Sequence, residues 1–399
     1  MVAAENKEVK NVPKLRFKEY EGDWLKKELS EITKINQGLQ IAISERLLEP
    51  QEGAHFYITN EFLKVGSKNK YFILNPPDSV LCTETDLLMT RTGNTGQVVT
   101  GVSGAFHNNF FKIKYLEECH GRFLFYFLTS HHTQHVILKL AGTSTIPDLN
   151  HSDFYKIRIN LPSLPEQQKI ASFLSAVDQK IQQLTRKKEL LEQYKKGVMQ
   201  RLFSQEIRFK DENRNDFPDW EEKRLNDFCT FFSGGTPSST NKTFYSGTIP
   251  FIGSGNIYDS EVDSFISDEA LNSSSAKIVK EGDLLYALYG ANSGEVAISQ
   301  IGGAINQAIL CIRTKECIEY LYYILLSKKD KIVAKYLQGG QGNLSAQIIK
   351  KLKYNFPHYE EQQKIATYLS SIDTKIESVN QQITQTQSFK KGLLQQMFV

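Results

Sequence analysis

A four-residue motif in the first third of the chain has the residue types of a base-flipping methyl-transfer site. Asn75-Pro76-Pro77-Asp78 is similar to an Asn-Pro-Pro-aromatic motif that holds an extruded adenine. That chemistry needs an aromatic ring to stack on the base, and Asp78 stands in its place. No convincing methyl-donor site accompanies the motif, so we do not interpret it as catalytic.

A pair of carboxylates with a lysine could support metal-assisted hydrolysis. Pro147-Asp148 followed by Asp178-Gln179-Lys180 has the sparse pattern of metal-dependent nucleases. Asp178 and Lys180 recur later as Asp373 and Lys375, but no second Pro-Asp accompanies them. This recurrence favours a helix surface over a nuclease site.

A histidine cluster has a spacing that can hold zinc. His131, His132 and His135 place two imidazoles one helical turn apart. No acidic or cysteine companion follows nearby, which favours the surface of an amphipathic helix. We therefore predict no catalytic residues and no metal site, and interpret the chain as a recognition protein.

Glycine-rich polar loops are the best candidates for contact with a partner. Short apolar runs lead into Arg91-Thr92-Gly93-Asn94-Thr95-Gly96-Gln97 and, later, into Leu288-Tyr289-Gly290-Ala291-Asn292-Ser293-Gly294. Glycine permits close backbone approach, and Arg, Asn and Gln can form bidentate hydrogen bonds with purine edges. The alternative is a glycine-shaped turn without a partner. The predicted DNA-contacting residues of these and neighbouring loops are Arg91, Thr92, Asn94, Thr95, Gln97, Thr143, Ser144, Thr145, Asn150, Thr236, Ser254, Asn256, Tyr289, Asn292, Ser293, Gln341, Asn343 and Ser345.

The elements that must position these loops are contained in a duplication. Residues 162–204 and 357–399 align without a gap over 43 positions, of which 17 are identical, including Glu-Gln-Gln-Lys-Ile-Ala at 166–171 and 361–366. Alternating steps of four and three residues from Ile170 and from Ile365 meet apolar residues at eight of ten positions in each copy. This is the period of a coiled coil. About 35 helical residues make a rod of roughly 50 Å.

We expect the two helices to pack antiparallel within the chain; separate surface helices or a homo-oligomeric seam are the alternatives. Lys188 and Lys195 fall on the seam, and with their basic neighbours they could face phosphate or lie on a solvated flank. The predicted spacer and partner-binding residues are Gln167, Gln168, Ile170, Leu174, Val177, Ile181, Leu184, Gln362, Gln363, Ile365, Leu369, Ile372, Ile376 and Val379.

Outside the helices the duplication has weaker sequence similarity, and it divides the chain into two globular segments of diverged sequence, which we call heads. Leu15-Arg16-Phe17-Lys18 with Trp24 recurs as Ile207-Arg208-Phe209-Lys210 with Trp220, and Thr85-Asp86-Leu87-Leu88 recurs as Gly282-Asp283-Leu284-Leu285. We therefore predict an α+β protein with an internal pseudo-two-fold repeat. Its segments are a flexible N-terminus (1–14), a first head (15–161), a central helix (162–206), a second head (207–356) and a C-terminal helix (357–399).

Composition limits the function classes. With 399 residues, 40% of them hydrophobic and 23% charged, the chain has the composition of a soluble globular protein, with neither a membrane span nor a secretory signal. A net charge of +3 means that any nucleic-acid surface must be local. Five cysteines without a CxxC pair suit a reducing cytoplasm.

Three features recur in the two halves of the chain: the Glu-Gln-Gln-Lys-Ile-Ala helix entries, the Arg-Phe-Lys…Trp openings and the Asp-Leu-Leu…Gly…Gly motifs of the heads. With these features the chain is similar to the specificity subunits of type I restriction-modification systems. The resemblance covers nearly the whole chain, from about Leu15 to Val399, and the duplicated helix entry is its most specific element. It implies that each head reads one half of a split, asymmetric double-stranded DNA target and that the helices form an antiparallel spacer.

The same resemblance implies a set of partners. Two methyltransferase subunits would dock on the helices, and two restriction subunits would join in the full complex. S-adenosylmethionine, ATP and Mg²⁺ would be bound by those partners and not by this chain, in the cytoplasm of a bacterium or archaeon. The leading alternative is a coiled-coil scaffold whose heads bind protein or peptide, and a second alternative is a nuclease in its own right.

Overall fold

The computed structural model describes residues 11–64, 66–67, 69–142, 146–336 and 344–398. The chain divides into two compact units. The first comprises Met1–Thr185 with Gln381–Val399, and the second comprises Arg186–Asn380. Each unit therefore contains one head together with part of each long helix. Residues 1–10 of the predicted flexible N-terminus lie outside the described residues.

Within its described residues, the head of the first unit contains ten short strands and several small helices, and a long helix follows it. Its strands are β1 (Leu25–Glu28), β2 (Thr33–Gln37), β3 (Ala54–Ile58), β4 (Phe72–Leu74), β5 (Leu81–Cys82), β6 (Leu87–Thr90), β7 (Val98–Val99), β8 (Gly104–Phe106), β9 (Phe110–Tyr115) and β10 (Arg158–Leu161). Its helices are α1 (Leu29–Ile32), α2 (Gly121–Thr129), α3 (His131–Ala141), α4 (His151–Tyr155) and the start of α5 (Leu164–Phe203), with 3₁₀ turns at Ile43–Glu45, Asn60–Leu63 and Asp78–Val80.

The second unit repeats this order. Its strands are β11 (Glu221–Arg224), β12 (Cys229–Ser233), β13 (Ile249–Ile252), β14 (Phe265–Ile266), β15 (Lys277–Val279), β16 (Leu284–Ala287), β17 (Val296–Ile298), β18 (Gly303–Ile305), β19 (Ile309–Thr314) and β20 (Lys353–Phe356). Its helices are α6 (Leu225–Phe228), α7 (Asp268–Ser273), α8 (Ile318–Tyr336), α9 (Ala346–Lys350) and the start of α10 (Tyr359–Gln396), with a 3₁₀ turn at Lys242–Tyr245.

Sheet topology confirms the predicted internal repeat. The first head has an antiparallel sheet in the order β2-β9-β6-β7, a mixed sheet in the order β4-β3-β8-β5 and the pair β1-β10. The second head has the matching sheets β12-β19-β16-β17 and β14-β13-β18-β15 and the pair β11-β20. In each mixed sheet one pair is parallel, β3 with β8 and β13 with β18.

The central strands of each head are apolar on both faces because each face covers a different core. In β6, Leu87 and Met89 belong to the core that includes the long helix, whereas Leu88 belongs to the core between the two sheets. Leu284 and Leu285 of β16 divide in the same way. Alternate side chains of a strand point to opposite faces, so a fully apolar run is the pattern expected for a strand buried on both sides.

In the first unit, the beginning of α5 packs against the end of α10. Leu174 and Val177 share one apolar core with Leu393 and Met397. Lys390 Nζ lies 2.6 Å from Asp178 Oδ1. The other oxygen of Asp178 accepts a hydrogen bond of 2.8 Å from the Tyr126 hydroxyl on α2. We call Tyr126, Asp178 and Lys390 the first clasp.

In the second unit, the end of α5 packs against the beginning of α10. Lys195 Nζ lies 2.5 Å from Asp373 Oδ1, and the Tyr323 hydroxyl donates to Asp373 Oδ2 at 2.7 Å. These three residues form the second clasp. Lys188, two turns before Lys195, donates to Asn380 Oδ1 at 2.8 Å. Moving back along α5 thus moves forward along α10, which confirms antiparallel packing.

Contacts between the two helices explain the three lysines on the predicted apolar seam. Lys188, Lys195 and Lys390 each meet a polar side chain of the opposite helix. Neither a phosphate-facing position nor a solvated flank describes Lys188 and Lys195. Polar side chains at seam positions of a coiled coil fix its register, because any other alignment leaves them unpaired.

The repeated Glu-Gln-Gln entry joins each head to its helix. Glu166 is buried and accepts two hydrogen bonds from Arg16, at 2.7 and 2.8 Å, and one from Trp24 Nε1 at 3.3 Å. Glu361 does the same with Arg208 and Trp220 in the second unit. A buried carboxylate that loses its charged partner costs several kcal/mol of stability, so this pairing fixes the angle at which the chain enters the helix.

The adjacent glutamines complete the joint. Gln167 is fully buried, accepts from the backbone N–H of His120 and donates to the carbonyl oxygens of Glu118 and Pro162. Gln362 makes the matching bonds with Cys317 N–H and Pro357 O. Predicted as spacer residues, these two glutamines bond within the joint between head and helix.

All five cysteines are described, and all are buried free thiols. Among the described residues, no helix combines the length and the apolar character that crossing a bilayer requires.

Candidate nucleic-acid interface

Three loops meet at one end of the sheets in each head. In the first head, loop A (59–63) follows β3, loop B (91–97) connects β6 to β7, and loop C (146–150) precedes α4. Asn60 Nδ2 of loop A donates to the Thr92 carbonyl of loop B at 3.2 Å. The Leu149 N–H of loop C donates to the Arg91 carbonyl at 2.9 Å. The hydrogen bonds tie the three loops into one surface.

The second head brings the corresponding loops together. Loop A (253–257) follows β13, loop B (288–295) connects β16 to β17, and loop C (344–345) precedes α9. Asn292 Nδ2 donates to the Ser254 carbonyl at 3.2 Å, and the Leu344 N–H donates to the Leu288 carbonyl at 2.9 Å. The backbone bond between loops B and C is thus the same in both heads, whereas the side chain that links loops A and B comes from loop A in the first head and from loop B in the second.

A glycine sets the shape of loop B in both heads. Gly96 has φ +87°, and a Cβ there would lie 2.8 Å from Ile137 of α3. Gly294 has φ +90°, and a Cβ would lie 2.6 Å from Val333 of α8. Only glycine combines this backbone conformation with such close packing. These glycines therefore allow loop B to pack closely against a helix of its own head.

Arg91 is the centre of a polar cluster in the first head. Its Nε and Nη2 donate to the two carboxylate oxygens of Asp148, at 3.0 and 2.6 Å. The Thr92 hydroxyl also donates to Asp148. Gln37 Oε1 lies 3.5 Å from Arg91 Nη1 and 2.6 Å from His151 Nε2.

The electrostatics of this cluster follow from the ion pair. The hydrogen bond from Arg91, reinforced by Thr92, lowers the pKa of Asp148 below its usual range. Burial and the nearby guanidinium lower the pKa of His151. At neutral pH the Arg91–Asp148 pair is therefore ionised and has no net charge.

The comparisons with known proteins bear on what these surfaces do. The family described as "Type I restriction modification DNA specificity domain" matches residues 21–193 and again residues 218–387. The chain belongs to that family. The two matches follow the two heads and their helices, so the repeat seen in the topology is a repeat of DNA specificity domains.

Relatives and solved structures agree with this membership. The chain is 28% identical to the type I restriction enzyme MjaVIII specificity subunit of Methanocaldococcus jannaschii, over 95% of this chain and 94% of the relative. The crystal structure of the type I restriction-modification S subunit from M. genitalium matches with a TM-score of 0.63 at 17% identity, over 97% of this chain and 99% of that one. A chain from a structural study of complex assembly and conformational transition of the type I R-M system matches with a TM-score of 0.58 at 16% identity, over 93% of this chain and 96% of that one. These two likenesses show the fold.

Several predicted contact residues of this specificity-domain chain are exposed on the loop surfaces. Asn94 and Gln97 are exposed in loop B of the first head, and Asn256 is exposed in loop A of the second. Thr236, which follows β12 and lies outside the three loops, is also exposed and donates to Gln307 Oε1 at 2.6 Å. Ser254 and Tyr289 are partly buried. Their contact with DNA stays a prediction.

Other predicted contact residues make hydrogen bonds that hold the loops. Thr95 is buried and donates to the Pro147 carbonyl at 2.6 Å, and Ser293 donates to the Leu288 carbonyl at 2.9 Å. Asn150 and Ser345 accept from N–H groups in the first turns of α4 and α9, as helix caps do. The remaining predicted residues Thr143, Ser144, Thr145, Gln341 and Asn343 lie outside the described residues.

The predicted spacer residues follow the helix seam. The apolar ones are buried or partly buried: Ile170, Leu174, Val177, Ile181, Leu184, Ile365, Leu369, Ile372, Ile376 and Val379. Gln168 and Gln363 are exposed beside the buried glutamines of the joint. Exposed positions on these helices are available to a partner, whereas the seam residues pack inside the units.

The motifs that suggested catalysis have structural places. Asn75-Pro76-Pro77-Asp78 forms a largely exposed turn after β4. Asp148 pairs with Arg91, and Asp178 belongs to the first clasp. Among the described residues, no group of three His, Cys, Asp or Glu side chains could hold a metal ion.

Sequence reasoning missed two partners that organise the loops. Gln37 ends β2 and Asn60 begins a 3₁₀ turn, far in sequence from loop B. No local pattern marks either residue. The sequence presents Asp148 only as half of a nuclease pattern, although a lone carboxylate in a polar loop is also a natural partner for arginine.

Proposed function

We propose that each head of this chain reads one half of a split, asymmetric DNA target, and that the two long helices set the distance between the halves. The observation that carries the proposal is the pair of DNA specificity domains with one topology and different loop surfaces. One scaffold with two unlike readers suits a target of two unlike halves.

The differences between the loop surfaces support an asymmetric target. Arg91 begins loop B in the first head, and Leu288 occupies the corresponding place in the second. Gln97 ends the first loop B, whereas the corresponding Glu295 pairs with Lys329 and accepts from Tyr258 at 2.6 Å. Donor and acceptor patterns this different cannot select the same bases.

Matched exposed aromatic side chains on the helices support two copies of one docking partner. Tyr194 of α5 and Phe389 of α10 are equivalent in the repeat, and they are 51% and 54% exposed. Exposed aromatic residues are enriched where proteins bind one another. We infer that the partners are two methyltransferase subunits, with two restriction subunits in the full complex.

The division of labour follows from the contents of this chain. We infer that S-adenosylmethionine, ATP and Mg²⁺ act on the partner subunits, in the cytoplasm of a bacterial or archaeal cell, and that this chain supplies specificity. Its net charge of +3 is modest for a DNA-binding protein. Partner subunits would then supply much of the phosphate contact that dominates affinity.

The test exchanges one head and maps methyladenine across the genome. Cells that produce the native chain should methylate a two-part sequence. Replacement of residues 15–161 by the first head of another specificity subunit should change one half and leave the other intact. A change in both halves would contradict independent heads.

A second measurement separates DNA reading from a protein-binding scaffold. The affinity of the full-length chain for duplex DNA, alone and with its methyltransferase partner, should fall steeply as salt increases because phosphate contacts release counterions. Duplex binding that is insensitive to salt would favour the scaffold.

A further inference from the structure

The guanidinium of Arg91 is held in one orientation by its neighbours. Asp148 takes the Nε–H and one N–H of Nη2, in two short, parallel hydrogen bonds. Planar bidentate pairs of this kind fix both the position and the plane of the arginine. Thr92 donates to the same carboxylate and restrains it in turn.

The pair leaves a second edge of the guanidinium for another ligand. Nη1 and Nη2 each carry one N–H on the edge remote from the arginine stem. Within the part of the chain that the structure describes, Nη1 makes one long hydrogen bond, of 3.5 Å, to Gln37 Oε1. The Arg91 side chain is 28% exposed and that of Asp148 42%, so a ligand can reach the pair from solvent.

An edge with two parallel donors fits one base in the major groove of DNA. Guanine presents two acceptors there, O6 and N7, whereas adenine and cytosine present a donor and thymine a single acceptor. A phosphate also offers two acceptors. The adjacent Asp148 carboxylate makes the pair neutral as a whole, however, which removes most of its attraction for phosphate.

We propose that Arg91 reads a guanine in the half-site of the first head and that Asp148 is the positioning residue that aims it. This inference rests on the proposed function, since it names a base read by one of the two heads. The corresponding Leu288 has no donor, so the second head recognises its half-site in another way.

The test uses the full-length chain with its methyltransferase partner and maps methyladenine in a host genome. The native chain should give a motif with a guanine in one half. Arg91→Lys keeps the charge but loses the bidentate edge. It should lower discrimination at that one guanine by roughly 5- to 150-fold and leave the other half-site unchanged.

Asp148→Asn tests the positioning role. It should relax the same guanine position while making the affinity for DNA more salt-dependent, because the uncovered arginine then attracts phosphate. A stabilising role alone would lower the melting temperature without changing the motif.

The chain offers a matched control. Arg313 and Asp283 of the second head form another bidentate pair, with distances of 2.7 and 2.6 Å, on β19 and the turn before β16. Arg313→Lys should leave every position of the motif unchanged.

The outcomes separate this inference from the proposed function. A native motif without guanine in either half, or an Arg91→Lys motif identical to the native one, overturns the guanine assignment alone. Weaker methylation of all sites with an unchanged motif and a smaller salt slope identifies a phosphate contact and also overturns it. A native chain that directs no two-part methylation overturns the proposed function itself.

Discussion

Glu166→Gln tests whether the buried joint between head and helix holds the first unit together. The substitution keeps the size of the side chain and an acceptor for Trp24, but it removes the charge that pairs with Arg16. Breaking a buried ion pair by removing one partner costs about 3–5 kcal/mol. Arg16 keeps contacts with the carbonyl oxygens of Gly22 and Glu21 and is 16% exposed, so the lower end, about 3 kcal/mol, applies.

The assay is thermal unfolding of the full-length chain followed by calorimetry. For a unit of this size a loss of about 3 kcal/mol lowers the melting temperature by roughly 6–12 °C. The control is Glu19→Gln, which removes a surface ion pair of 3.4 Å with Lys169, each side chain about half exposed. That variant should have the same melting temperature as the native chain, since exposed ion pairs contribute little to stability. Equal shifts for the two variants would refute the joint as a determinant of stability.

Three further predictions test other parts of the account. Gly294→Ala should destabilise the second unit by about 1–3 kcal/mol more than Gly282→Ala in denaturant unfolding. Both glycines have left-handed backbones, but only at Gly294 would the new Cβ meet a neighbour, Val333, within 3 Å. Equal losses of stability would contradict the packing of loop B. Burial raises the pKa of Cys82, Cys229 and Cys317 to about 11 and of Cys119 and Cys311 to about 12. A thiol reagent at pH 8 should therefore modify none of these cysteines until denaturant is added. Rapid labelling of the native chain would contradict their burial. Lys195→Met removes the lysine that pairs with the Asp373 carboxylate and keeps only its hydrogen bond from Tyr323, so it should destabilise the second unit. Lys196→Met, at an exposed neighbouring position, should leave the stability of the second unit unchanged.

The long helices and their seam could be predicted because their signal is local and repeated. The apolar steps from Ile170 and Ile365 specify a helix and a face, and the duplication specifies that the face recurs. The clasps could not be predicted in the same way. Asp178 and Lys390 are more than 200 residues apart in sequence, and only the folded head brings Tyr126 to them.

The loop surfaces show a different limit. Serine and asparagine are favoured both for contacts with bases and for helix caps, so residue type alone did not separate Asn150 and Ser345 from exposed Asn94. Gln167 is a further example. Its place in a repeated motif indicated importance, but the three backbone groups that it bonds come from separate segments.

The most direct test of the spacing role is a change in helix length. One heptad inserted after Thr185 in α5 and one after Asn380 in α10 keep the seam in phase and lengthen the antiparallel pair by about 10 Å, or roughly three base pairs. Methyladenine mapping should then find both half-sites unchanged and the gap between them about three base pairs longer. Methylation at the native gap by a folded, heptad-extended chain would contradict the claim that the helices measure the distance.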